Sequence, residues 1–81
     1  MNDSDILNRI HSIVEAEREL RQQVQDDPGS HPDAAAQLRR LEGSIDQCWD
    51  LLRQRRAHEE FHQDPDEAQA RPVSQVEGYV Q

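Results

Sequence analysis

Val24-Gln25-Asp26-Asp27-Pro28-Gly29-Ser30-His31-Pro32-Asp33-Ala34 is the stretch that decides the fold, because it separates two matching heptad patterns. Two prolines and a glycine within five residues break any helix between Asp27 and Pro32. Upstream, Ile6, Ile10, Ile13, Leu20 and Val24 recur at gaps of four and three, with Glu17 filling the one polar slot. Downstream, Ala34, Leu38, Leu41, Ile45, Cys48 and Leu52 repeat the pattern. Two helices joined by so short a connection pack antiparallel. Folding about Gly29-Ser30 sets Leu20 near Leu38, Ile13 near Ile45 and Ile6 near Leu52, so the seams match along their apolar length.

The expected architecture is all-α: a hairpin over residues 1–63, with helices at about 4–26 and 33–63 around a loop at 27–32, then a tail over 64–81 with one or two short helical turns. Asp3 or Ser4 is placed to cap the first helix and Asp33 the second. Gly43 lies inside the second helix, at a cost of up to ~1 kcal/mol relative to Ala. A first helix of ~22 residues spans about 33 Å and a second of ~30 about 45 Å, so the second overhangs and carries Arg53 to His62 past its mate. In the tail, Asp64-Pro65-Asp66-Glu67 has the form of a helix start, Arg71-Pro72 interrupts it, and Val73, Val76, Tyr79 and Val80 make a short apolar stripe. That stripe is suited to folding back on the hairpin, docking on a partner or staying loose.

Leu7 and Val14 flank the first seam, and Trp49 and Leu51 the second. A lone hairpin leaves all four in water, forfeiting ~1.5–3 kcal/mol for each large side chain. Self-association into a four-helix bundle would bury them, so these residues are the expected dimer interface.

Composition narrows the function. The 81 residues allow a single domain, 33% hydrophobic and 32% charged, with mean hydropathy −1.07. A net charge of −8 argues against direct binding to nucleic acid or an anionic membrane. All nine basic residues are Arg. The start Met1-Asn2-Asp3-Ser4-Asp5 lacks the form of a signal peptide, and no run approaches a membrane span, which predicts a cytoplasmic protein.

Few residue patterns carry chemistry. His58-Glu59-Glu60-Phe61-His62 fits H-E-x-x-H, in which two His one turn apart bind zinc and the Glu activates water. Catalytic zinc also needs a third protein ligand and a cleft, and neither is legible. His58 and His62 therefore stand only as metal candidates, with no cofactor and no enzymatic activity expected. Cys48, the single cysteine, reads as a buried thiol on the seam, with His11 nearby in the hairpin register. Glu17 is expected to pair with Arg21, or with Arg39 or Arg40 across the hairpin. Arg53, Arg55 and Arg56 form the dense basic cluster, facing Asp3 and Asp5 or an acidic or phosphate-bearing partner.

The run Asp46-Gln47-Cys48-Trp49-Asp50-Leu51-Leu52-Arg53-Gln54-Arg55-Arg56-Ala57 brings a resemblance into view. Together with Asp5-Ile6-Leu7, Asp64-Pro65-Asp66-Glu67-Ala68, Arg71-Pro72 and Val76-Glu77-Gly78-Tyr79-Val80-Gln81, it resembles a family of small actinobacterial proteins catalogued as domain of unknown function 2630. The resemblance covers essentially the whole chain. It implies a helical cytosolic protein and carries no activity or metal site. A weaker likeness is to helical-hairpin anti-sigma factors that bind cyclic di-GMP through E-x3-S-x2-R-x3-Q-x3-D. Arg18, Gln22 and Asp26 fit its last three places, whereas His11 and Glu15 do not match the first two.

The sequence thus reads as a non-enzymatic interaction module that pairs with itself and with an unidentified protein. Gln47, Asp50, Arg53, Gln54, Arg55 and Arg56 are the expected partner-facing residues, and Tyr79 belongs to a docking tail. The competing reading is a regulator responsive to a small ligand or metal, using Arg18, Gln22 and Asp26 or the His58/His62 pair.

Overall fold

The computed structural model describes residues 1–77, which form α1 (Asp3–Asp26), α2 (Ala34–Glu60), a 3₁₀ turn (Pro65–Glu67) and α3 (Val73–Glu77). The architecture is all-α, as the heptad pattern requires. Two long helices pack against each other, and the short C-terminal elements pack against α2. Gly78, Tyr79, Val80 and Gln81 lie outside the described residues, and with them the expected role of Tyr79.

The helix ends differ from expectation for local reasons. Asn2, not Asp3 or Ser4, caps α1: its side chain accepts from the Asp5 N–H at 2.9 Å, and its own N–H donates to the Asp5 carboxylate at 3.3 Å. That reciprocal box satisfies two otherwise orphaned groups. Asp33 stands at the N-cap of α2 without a side-chain capping bond. The first turn is held instead by the Ala34 N–H on the His31 carbonyl and the Gln37 N–H on the Asp33 carbonyl.

At its far end α2 stops at Glu60, three residues before the expected Gln63. His62 adopts φ 57°. The Gln63 N–H then reaches the His58 carbonyl at 2.6 Å, and the His62 N–H the Glu59 carbonyl at 3.1 Å. This is a Schellman termination, with His in the left-handed position that Gly usually fills.

Ile6, Ile10, Cys48 and Leu52 form the buried core, with Ile13 and Leu51 packed against it. The register matches the pairing of Ile6 with Leu52. Three residues nearer the open end of the hairpin on each helix, Asp3 and Arg55 meet in an ion pair of 2.5 Å. At the connection, Ser30 ties back to Asp27 through both its N–H and its hydroxyl.

The overhang of α2 does not project freely. After the 3₁₀ turn the chain reverses and runs back along α2, so that Val76 is only 1% exposed. The molecule measures 52 × 25 × 15 Å, an elongated slab.

Candidate functional site

Gly43, Gln47, Asp50, Gln54 and His58 recur on α2 at gaps of four, three, four and four. At about 100° per residue they form a stripe roughly 140° round the helix from Leu41, Ile45, Cys48 and Leu52. The C-terminal segment lies on this stripe and meets every one of its residues. The ring nitrogen Nδ1 of His58 lies 2.9 Å from the Asp64 carbonyl oxygen. Gln54 donates to the Gln69 carbonyl at 2.6 Å and accepts from the Gln69 N–H at 3.4 Å. Gln47 donates to the Arg71 carbonyl at 3.0 Å. At Gly43 a Cβ would stand 2.9 Å from Val73 Cγ1, so the missing side chain admits the tail.

Asp50 is the centre of this clasp. It is 1% exposed, and Arg71 grips it with Nε on Oδ2 at 2.9 Å and Nη2 on Oδ1 at 2.5 Å. Gln54 adds a third bond to Oδ2 at 2.9 Å. Burial opposes the charge on Asp50, but the bonds from Arg71 and Gln54 and the positive fields of Arg71 and Arg53 outweigh it. They hold the carboxyl below its ordinary range. The fork of Arg suits such two-point recognition.

Arg55 makes a second knot at the open end. It is buried, with Nε on Asp3 and Nη1 on Asp66 at 3.0 Å and on the Pro65 carbonyl at 3.3 Å. One guanidinium thus joins the start of α1, the end of α2 and the 3₁₀ turn. The hydrogen bond from Arg55 holds the Asp66 carboxyl low.

Gln47, Asp50, Gln54 and Arg55, expected to face a partner, are therefore occupied by the chain's own segments. Arg53 and Arg56 remain exposed and make no ion pair among the described residues. Their side of the slab is apolar at its middle. Leu7, Val14 and Arg21 lie seven residues apart along α1, and Glu42, Trp49 and Arg56 seven apart along α2. Arg21 meets Glu42 across the hairpin at 3.5 Å, which places the two runs on the same side of the slab. Leu7, Val14 and Trp49 are 48%, 40% and 44% exposed. Leu51, expected beside Trp49, lies on the other side, where it lines a small cavity with Arg9, Cys48 and Ala70.

The remaining candidates are placed as follows. His62 sits beyond the end of α2 with left-handed backbone, so it does not share a helix face with His58, and the H-E-x-x-H geometry is not formed. No cluster of three His, Cys, Asp or Glu suited to a metal occurs among the described residues. Cys48 is buried, which pushes its thiol up, with a smaller opposing effect of Arg9. His11 is exposed. Glu17 pairs with Arg21 at 3.4 Å and, among the described residues, not with Arg39 or Arg40, and its buried Oε1 has no hydrogen-bond partner there. Arg18 pairs with Glu15 at 3.7 Å, and Gln22 donates to Asp26 at 2.9 Å. No described helix is long and apolar enough to cross a membrane.

The fold-back of the tail is among the options the sequence offers, whereas the residues that hold it, Gln47, Asp50 and Gln54, read there as partner-facing.

Fold and clasp together define a class: a short helical hairpin whose C-terminal segment is strapped along its second helix. The chain belongs to the family described as protein of unknown function (DUF2630), whose model matches residues 2–81. It is 49% identical over 78 residues to the uncharacterized protein Rv0898c of Mycobacterium tuberculosis strain H37Rv, covering 96% of this chain and 90% of the relative. The same figures hold for the uncharacterized protein Mb0922c of Mycobacterium bovis. No solved structure matches the chain.

Proposed function

We propose that the protein is a non-enzymatic helical interaction module that binds a protein partner in an actinobacterial cytosol. The observation that carries this reading is the open side of the slab. A chain of mean hydropathy −1.07 leaves its single tryptophan 44% exposed, on the same side as exposed Leu7 and Val14 and followed along α2 by exposed Arg53 and Arg56. Trp and Arg are the side chains that contribute most when an interface closes over them. The tail-gripping residues act as scaffold, which leaves Trp49, Arg53 and Arg56 for the partner. A carboxylate or phosphate on the partner complements the two arginines.

The test is affinity capture from the native cytosol with tagged wild-type protein, Trp49→Ala, and Arg53→Ala/Arg56→Ala, quantified by mass spectrometry. A protein recovered with wild type and depleted with both variants supports the module. Recovery profiles that are the same for all three baits refute it.

The competing reading, a regulator responsive to a small ligand or metal, has less to rest on. Gln22 and Asp26 bond to each other, Arg18 turns to Glu15, and His62 has left the helix face.

A further inference from the structure

The open side carries a charge order that is complementary to itself. Along α2, Glu42 and Asp46 precede Trp49, and Arg53 and Arg56 follow it. Glu42 and Arg56 stand seven residues on either side of Trp49. An antiparallel copy of α2 laid across Trp49 therefore sets Glu42 of each chain against Arg56 of the other. Asp46 and Arg53 fall within reach of each other in the same way. Asp46, Arg53 and Arg56 make no ion pair within the described chain, and Glu42 has only the exposed contact with Arg21.

We propose that the occupant of this face is a second copy of the chain, related by a two-fold axis through Trp49. The inference rests on the interaction-module reading and names the partner of that face. In this arrangement α2 lies over α2 and α1 over α1, so Trp49 meets Trp49, and Leu7 and Val14 of each chain face α1 of the other. An isologous contact of this kind closes as a dimer and leaves no open edge.

The size of the face sets the strength. From Glu42 to Arg56 is about 21 Å, and two helices are roughly 20 Å wide, a footprint of about 400 Å² per copy. That is about half the ~800 Å² per partner of a standard stable interface, the size of weak and transient contacts.

Trp49 is the only tryptophan, so its emission reports the contact directly. Purified wild-type protein is expected to move from monomer to dimer in analytical ultracentrifugation between about 1 and 500 µM, with a parallel blue shift of Trp49 emission. Arg56→Glu sets two glutamates against each other twice and should weaken the dimer about ten-fold or more, equivalent to about 1.4 kcal/mol. Glu42→Arg should do the same. The double variant Glu42→Arg/Arg56→Glu restores opposite charges and should return to within about three-fold of wild type. Far-UV circular dichroism establishes that each variant keeps its helices.

A wild type that stays monomeric at about 500 µM overturns the proposal while leaving the capture experiment above to judge the module. Single reversals without effect, or a double variant weaker than either single one, overturn the two-fold register.

Discussion

Removing Arg71 tests the clasp most sharply, because the two sides of its ion pair are not equally exposed. Asp50 is 1% exposed, while the side chain of Arg71 is 33% exposed. Arg71→Ala leaves the Asp50 carboxylate under the tail with Gln54 as its one remaining hydrogen-bond donor. An uncompensated buried charge of this kind costs about 3–5 kcal/mol. The segment is docked by one fully buried valine, worth about 1.5–3 kcal/mol, and a few hydrogen bonds near 1 kcal/mol each, against the ordering of about ten residues. Lifting the tail into water rehydrates Asp50 and is the cheaper response. The expected result is release of residues 68–77, with the Ile6, Ile10, Cys48 and Leu52 core intact.

Hydrogen exchange reads this outcome directly. The N–H groups of Gln75 and Val76 both bond to the Pro72 carbonyl, so their protection should collapse in Arg71→Ala while that of α1 persists. Asp50→Asn is the milder change. It keeps the volume and an acceptor, and it frees a guanidinium that can turn to solvent, at about 1.5 kcal/mol. Replacing the pair with Asp50→Leu/Arg71→Met should restore much of the docking, because neither partner is then left charged and buried. Wild-type protection of Gln75 and Val76 in Arg71→Ala, or a greater loss in Asp50→Asn, would refute this account.

Three further outcomes follow from the same contacts. Asp50 and Asp66 have folded pKa values below their unfolded ones, so their contribution is complete above about pH 4 and is lost as pH falls through the folded values. Tail protection measured by exchange or NMR should thus be flat from about pH 5 to 7 and fall in more acidic solution. Gly43→Ala should gain up to ~1 kcal/mol of helix stability in a Val73→Ala background and less in wild type, where the new Cβ meets Val73 at 2.9 Å. Thermal unfolding by circular dichroism separates the two, and equal gains would show that Val73 is not seated there. The Cys48 thiol, buried and pushed up, should react with iodoacetamide far more slowly in native protein than in denaturant.

The hairpin was legible because heptad spacing and the break Pro28-Gly29-Ser30-His31-Pro32 are signals written in single residues and short gaps. Ile6, Ile10, Cys48 and Leu52 were placed together by arithmetic alone, and they are the core. The helix ends were less legible. Nothing in His58-Glu59-Glu60-Phe61-His62 announces that His62 will take left-handed backbone, because the glycine that usually marks a Schellman stop is absent. The clasp was hidden for a different reason. A charged or amide side chain on a helix reads as solvent-facing, and Asp50 contradicts that only because Arg71, 21 positions on, returns to neutralise it. Such a pairing depends on the path of an irregular segment, which carries no periodicity of its own.

These contacts leave α2 as a helix with three distinct stripes. Leu41, Ile45, Cys48 and Leu52 face α1 and supply apolar burial, which is indifferent to small slips along the axis. Gly43, Gln47, Asp50, Gln54 and His58 face the tail through directional bonds, which fix one register. Polar docking of that kind adds little net stability per bond, but a one-residue slip would strand Asp50 beneath the tail without its arginine. The third stripe, Glu42, Trp49 and Arg56, is the one that neither α1 nor the tail covers. Its exposure follows from the tail's choice of face. Had the segment crossed on the other side, Trp49 would lie beneath it and the polar stripe would meet water. The strap thus both closes the hairpin and determines which side of α2 is left open.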